Sequence, residues 1–286
     1  MAKTPFPARR GGLRTERMLR SLKAILERRM PRAFALLCPL VDARAAHDPD
    51  SEVRLLPLLV APGDTVCDIG ANRGFFTYWL LKRGARVLAF EPNPRLVRIL
   101  KLRFPGEIGS GALTLFETAL SADAGAAVLH IPRDLSPLAT LDGDLAQQVE
   151  GPTDNVRVPI ARLDACVSVP VSFIKLDVEG HEVKVLEGAR GIITATRPTF
   201  LIEAEERHRP GAVAAVRQVL EPFGYRGFFR LGREMRPIAE FDPAVHQPIA
   251  SLTSDGARPR KGTLYLNDFY FAARPDIIAR LERWRG

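Results

Sequence analysis

The sequence predicts an open α/β fold, a mostly parallel sheet with helices on its faces, and three observations predict it. VCDIGANRG at residues 66–74 reads as a buried strand that ends on an acid and turns through glycines into a helix. FIKLDVEGHE at residues 173–182 reads as a second buried strand that delivers a cluster of charged side chains at its end. From about residue 64 onward, strand patterns alternate with helix patterns, which is the order of βαβ units. In such a sheet both strand ends face one crevice, the place where ligands bind.

The elements follow in order. Residues 1–12 show no periodicity and read as disordered. Met18, Leu19, Leu22, Ile25, Leu26 and Met30 recur at helical spacing, with Arg17, Arg20, Lys23 and Arg28 mostly off that face, until Pro31 interrupts. Residues 65–69 form a strand, and residues 75–82 a helix closed by Gly84. Residues 86–90 form the next strand, after which Asn93 caps a helix with Pro94 in its first turn and Leu96, Val97 and Leu100 facing inward. A third strand at 113–118 leads to a hairpin that includes 126–131. Residues 132–155 are polar and irregular, a length that in compact domains is usually functional or disordered. Strands at 156–160, 171–176 and 199–203 and helices at 182–189 and 212–223 complete the alternation, before an aromatic, strand-like region ending at 263–272. The expected domains are a basic arm with its amphipathic helix over residues 1–50, a catalytic domain over 51–275 and a helical tail over 276–286.

Charge is concentrated at one end. Residues 1–32 hold 10 Lys/Arg and 2 Asp/Glu, which leaves 31 of each sign elsewhere. The basic character therefore belongs to an arm rather than to a phosphate-binding face, which argues against nucleic acid. The arm reads as a helix packed on the domain with a solvated basic face. Its alternatives are peripheral contact with an anionic membrane through residues 13–32, and an Arg-rich targeting segment. Cys38, Cys67 and Cys166 are odd in number and lack metal-ligand spacing, which fits a reducing, cytoplasmic setting with no metal site assigned. No apolar run reaches the ~20 residues that span a bilayer, and the basic start lacks the uninterrupted apolar stretch of a signal peptide.

The first block has the form Asp68-x-Gly70-x-x-x-Gly74. A dinucleotide fingerprint would need glycines where Asn72 and Phe75 stand. An acid at the strand end disfavours a pyrophosphate and favours a cationic ligand such as an ammonium or a sulfonium. Glu91 ends the next strand, where an acid can hydrogen-bond ribose hydroxyls. A ribose-bearing, phosphate-free cation describes S-adenosylmethionine. In the second block, Lys175, Asp177 and Glu179 alternate and so are expected on one face of an extended segment, with Gly180 permitting a turn and His181-Glu182 opening a helix. Glu203 and Glu205 can join the same rim.

At these residues the chain resembles the FkbM family of S-adenosylmethionine-dependent methyltransferases. The matching pieces run in order: DIGANRG at 68–74, FEPNP at 90–94, TALS at 118–121, RLD at 162–164, FIKLDVEGHE continuing to the glycine at 188, and NDFYF at 267–271. The resemblance covers about residues 53–273. It implies a Rossmann-like class I methyltransferase, with a seven-stranded, mostly parallel sheet whose last strand is antiparallel. It also implies O-methylation of a hydroxyl on a sugar, glycan or polyketide-like metabolite. Carried over by position, Asp68, Gly70 and Asn72, with Gly74 closing the loop, surround the methionine part of the cofactor. Glu91 meets the ribose, Asn93 the adenine, and Ala119 forms the neighbouring wall. Asp177 is the first candidate to contact the acceptor hydroxyl, then Glu179, then His181, with Lys175 steadying an acid. The acids could instead hold a divalent cation that lowers the hydroxyl's pKa. Competing readings are an RNA methyltransferase that uses the basic arm, and a non-catalytic protein that keeps the fold as a binding platform.

Overall fold

A computed structural model of the chain describes residues 25–133, 138–148, 151–253 and 259–286. Its strands are β1 (Thr65–Ile69), β2 (Arg86–Phe90), β3 (Leu113–Phe116), β4 (Ala119–Leu120), β5 (Gly125–Pro132), β6 (Thr153–Ala161), β7 (Phe173–Leu176), β8 (Thr199–Glu203), β9 (Arg226–Leu231), β10 (Glu234–Pro237) and β11 (Asp268–Ala272). The main sheet has the order β10-β9-β11-β8-β7-β1-β2-β3. The run from β8 to β3 is parallel throughout, and β11 lies antiparallel between β8 and β9. This is the expected seven-stranded arrangement with one strand added. The eighth, β10, forms because Gly232, at φ 60°, turns the chain back after β9 through a two-residue hairpin.

The central strands are buried on both sides, so they read as continuous apolar runs. Alternate residues serve two cores. Cys67, Ile69, Ile174, Leu176, Phe200 and Ile202 pack on one side. Val66, Phe173, Leu201 and Tyr270 pack on the other. The period of two carries Asp68, Lys175, Glu203 and Asp268 onto the second side, at the edge where the parallel strands end.

Helices cover the sheet: α1 (Pro31–Ala46), α2 (Phe75–Lys82), α3 (Pro94–Arg103), α4 (Gly143–Gln148), α5 (Glu182–Glu187), α6 (Ala212–Leu220) and α7 (Pro275–Arg283). Asn93 caps α3 as expected, its Oδ1 accepting from the Arg95 N–H at 3.0 Å. Pro31 does not end the helical region. Residues 25–29 are helical, and Pro31 then opens α1, where the N–H that proline lacks would have no partner anyway. Most of the helix expected at residues 18–30 lies outside the described residues. A second sheet, β4-β6-β5, stands beside the crevice, with β5 and β6 paired antiparallel over eight positions. The irregular stretch expected at 132–155 is shorter than its composition implies, since it contains α4 and β6 starts at Thr153.

Candidate active site

The chain leaves β1 through Gly70 (φ 76°), Asn72 (φ 54°) and Gly74 (φ 86°) before entering α2. A Cβ on Gly70 would lie 1.7 Å from the carbonyl oxygen of Asp177, so the glycine lets the ends of β1 and β7 close on each other. That neighbour belongs to the second block, so the two motifs meet at this glycine. Asn72 donates its backbone N–H to Glu91 Oε2 at 2.7 Å, and Asn93 donates its own to Oε1 at 2.9 Å. Each oxygen of Glu91 is thus held by one main-chain donor. Burial pushes this carboxyl up to about 7, with the two N–H donors pulling against that rise.

Asp68 turns back into the protein. Its Oδ2 accepts a 2.5 Å hydrogen bond from Thr77 Oγ1, and burial raises its pKa. Opposite it across the β1–β7 ladder sits Lys175, buried, with Nζ 2.9 Å from Asp177 Oδ2 and 4.9 Å from the Phe76 ring centroid. Burial alone would lower the lysine's pKa, but Asp177, Glu203 and Asp268 outweigh it and hold the ammonium above its ordinary range. Glu203 and Asp268 are themselves raised well above the carboxylate range. Burial is the main cause for both, followed by Asp177 for Glu203 and by Glu52 for Asp268. One cation therefore neutralises part of a larger group of acids. Sequence reasoning found Lys175 and Asp177 but not Asp268, which only the β8–β11 register brings alongside Glu203.

The expected alternation stops at Asp177. Glu179 takes φ 49°, and its side chain pairs with His208, Nε2 to Oε2 at 3.2 Å, rather than continuing the row of Lys175 and Asp177. Burial and the charges of Asp177 and Glu205 push the Glu179 carboxyl well above its usual value. His181 Nε2 lies 3.0 Å from Ser121 Oγ, and burial lowers its pKa, so the imidazole is neutral at pH 7. Glu179, Glu205 and His208 offer ligand atoms within 4.8 Å of one another, the one such group among the described residues that could hold a metal. Glu205, however, already accepts both Nε and Nη2 of Arg207 (2.5 and 2.8 Å) and the Tyr265 hydroxyl.

These elements enclose a cavity of about 610 Å³, part of it open to solvent. Of the residues the sequence singled out, Gly70, Asn72, Glu91, Ala119, Asp177, Glu179 and His181 line it. Asp68, Gly74, Asn93 and Lys175 stand behind the wall instead. Apart from Thr118 the remaining wall is apolar and includes Phe90 and Leu96, with Leu129 and Leu141 contributed by the second sheet and its connection. Thr140, in the stretch that the sequence marks as irregular, is buried and donates its hydroxyl to the Glu179 carbonyl at 2.9 Å.

The Methyltransferase FkbM domain matches residues 68–226, more than half of the chain. The chain belongs to the FkbM methyltransferase family. The FkbM methyltransferase of Methylobacillus flagellatus KT shares the fold, with a TM-score of 0.50 and 16% identity over 91% of this chain and 60% of that one. The magnesium protoporphyrin IX methyltransferase of Synechocystis PCC 6803, solved with bound SAM, aligns at TM-score 0.44 and 15% identity over 94% of this chain and 100% of its own. Two curated proteins match in part. A probable ribosomal RNA small subunit methyltransferase A of Methanospirillum hungatei JF-1 is 31% identical over 145 residues, 51% of this chain and 45% of that protein. A ribosomal RNA small subunit methyltransferase A of Anaeromyxobacter sp. strain K is 33% identical over 161 residues, 56% and 46%. The chain spans about half the length of these curated relatives.

An FkbM methyltransferase domain uses S-adenosylmethionine, and the cavity suits it. Glu91 is fixed by main-chain donors with its remaining lone pairs free for hydroxyls. The apolar wall that includes Phe90 and Leu96 suits a flat base, and the carboxyl groups that line the cavity suit a sulfonium charge. No helix among the described residues is long and apolar enough to cross a membrane.

Proposed function

We propose that this chain transfers the methyl group of S-adenosylmethionine to a hydroxyl oxygen of a sugar, glycan or polyketide-like acceptor. The observation that carries the proposal is Asp177, which lines the same cavity as Glu91 and is held 2.9 Å from the buried ammonium of Lys175. In this reading Glu91 binds the ribose, Gly70 and Asn72 border the methionine part, and Ala119 and Phe90 border the base. Asp68, Gly74 and Asn93 support that wall from behind. Bound there, the cofactor supplies a methyl group already activated on a positively charged sulfur. The chain must then align an acceptor oxygen about 3–3.5 Å from that carbon, which can lower the barrier by roughly 7–11 kcal/mol. Asp177 takes the proton that the oxygen gives up, a role that typically adds about 100- to 10,000-fold in rate. Lys175 fixes the carboxylate's position. Glu179 ranks second because burial and neighbouring acids push its carboxyl well above the usual range and its Oε2 is paired with His208, and His181 third because its Nε2 is engaged with Ser121.

A second reading, methylation of RNA, draws on the names of the partly matching curated proteins. The charge of the site supports the hydroxyl reading instead. Asp177, Glu179, Glu203, Glu205 and Asp268 gather around two cations, Lys175 and Arg207, so the site offers no surplus of positive charge to hold a phosphate backbone. The test is transfer of labelled methyl from S-adenosylmethionine into separated glycan, lipid, small-molecule and RNA fractions, with Asp177→Asn in parallel. Label in a hydroxyl-bearing small molecule or glycan that disappears with Asp177→Asn is the expected result. Label confined to RNA overturns the acceptor class, and full activity in Asp177→Asn removes that residue from the scheme.

A further inference from the structure

Large apolar side chains at the surface are not spread evenly. Among the described residues, Ile25, Met30, Leu36, Leu37, Leu40 and Val41 account for six of the eleven that are exposed. Four of them form one stripe on α1, at positions i, i+1, i+4 and i+5, with Leu36 79% and Leu40 71% exposed. The opposite face of α1 is firmly seated. Phe34 and Cys38 pack against Ile99 of α3, and Asp42, fully buried, accepts a 2.6 Å hydrogen bond from the buried Arg103. The seated face fixes the helix's rotation, so the leucine stripe is presented outward by construction. Sequence reasoning placed a packed apolar face on residues 18–30, most of which lie outside the described residues; α1, which follows them, leaves an apolar face in water.

What flanks the stripe indicates what covers it. Arg28, Arg29 and Arg32 are exposed at its N-terminal end and Arg44 at its C-terminal end. Residues 1–32 carry 10 Lys/Arg against 2 Asp/Glu, whereas the rest of the chain is balanced. Leucines between arginines on a rigid, exposed helix face match a surface of phosphates over hydrocarbon. We infer that this face of α1 docks on an anionic phospholipid bilayer. Leu36, Leu37, Leu40 and Val41 enter the boundary between headgroups and acyl chains, and Arg28, Arg29 and Arg32 meet the lipid phosphates. The inference does not rest on the methyl acceptor. It gives the protein a surface at which a membrane-bound hydroxyl compound could be presented.

The test is cosedimentation of the full chain with vesicles of phosphatidylglycerol and phosphatidylcholine, and with phosphatidylcholine alone. Binding is expected for the anionic vesicles only and should fall with added salt. The double variant Leu36→Glu/Leu40→Glu should bind at least about tenfold more weakly. The triple variant Arg28→Gln/Arg29→Gln/Arg32→Gln should lose affinity on the order of 100-fold. All these side chains are exposed, so S-adenosylhomocysteine binding should be unchanged in both variants and report that they are folded. Absence of vesicle binding by the unsubstituted chain, or equal binding by both variants, overturns the proposal. So does a dimer in sedimentation velocity that the Leu→Glu pair dissolves while vesicles are ignored, which would assign the stripe to a second copy.

Discussion

Replacing Lys175 with methionine keeps the side chain's stem and removes the buried ammonium that faces Asp177, Glu203 and Asp268. The ammonium is buried, 2.9 Å from Asp177, and interacts with Glu203 and Asp268. At an effective dielectric constant of about 20, a pair at this distance attracts with roughly 6 kcal/mol, most of which offsets the desolvation of both ions. Removing one partner leaves the desolvation without the attraction, so Lys175→Met should lower the free energy of unfolding by about 3–5 kcal/mol at pH 8. The deficit should also depend on pH. Glu203 and Asp268 already have native pKa values above their unfolded ones. Such groups favour the native state below the unfolded pKa, near 4, and lose that contribution as pH rises through the native value. Without the lysine the native values rise further. The deficit should therefore be largest at pH 8 and shrink toward pH 5, as the acids take up protons in the native state. Urea unfolding of both proteins at pH 5, 6.5 and 8 measures this. A deficit below about 1 kcal/mol that does not change with pH would refute the role of Lys175 as the counter-ion of this cluster.

Gly70→Ala places a Cβ 1.7 Å from the Asp177 carbonyl at φ 76°, and should destabilise the fold by about 2–5 kcal/mol and abolish S-adenosylhomocysteine uptake, read by urea unfolding and calorimetry. Affinity for that product should rise about tenfold between pH 6 and pH 8, because ribose hydroxyls donate best to an ionised Glu91, whose carboxyl sits at about 7. Glu91→Gln should flatten this profile as well as weaken binding. Asp42→Ala leaves the buried Arg103 without its carboxylate partner, and frees Arg73 of the glycine loop from its 3.5 Å contact. It should cost about 3–5 kcal/mol and make residues 25–46 sensitive to limited proteolysis while the sheet remains protected.

What the sequence disclosed and what it hid follow from range. The bounds of β1, β2 and β8 are those expected, because strands buried on both faces give short continuous apolar runs with sharp polar ends. The helix from Phe75 to Lys82 and the Asn93 cap were legible for the same reason, since glycine, asparagine and proline fix helix ends locally. α1 was hidden because Pro31 and Pro39 read as breakers, and because Phe34, Leu36, Leu37, Cys38, Leu40 and Val41 surround the helix instead of marking one face. Within the site, the acids adjoining each strand end could be named from their positions. Which of them reach the cavity could not. Asp68 turns to Thr77, and Glu179 leaves the row through a left-handed residue. Asp268 arrives from more than 90 residues beyond Lys175 through strand register alone. Those are tertiary facts with no local signal.

The central claim is that the cavity beside Glu91 and Asp177 takes up an adenosyl sulfonium compound or its product. Isothermal titration of folded protein with S-adenosylhomocysteine, and of a second sample with NADH, measures it directly. One binding site per chain is expected for S-adenosylhomocysteine, greatly weakened by Glu91→Ala, and no heat with NADH. Uptake of NADH without uptake of S-adenosylhomocysteine would contradict it.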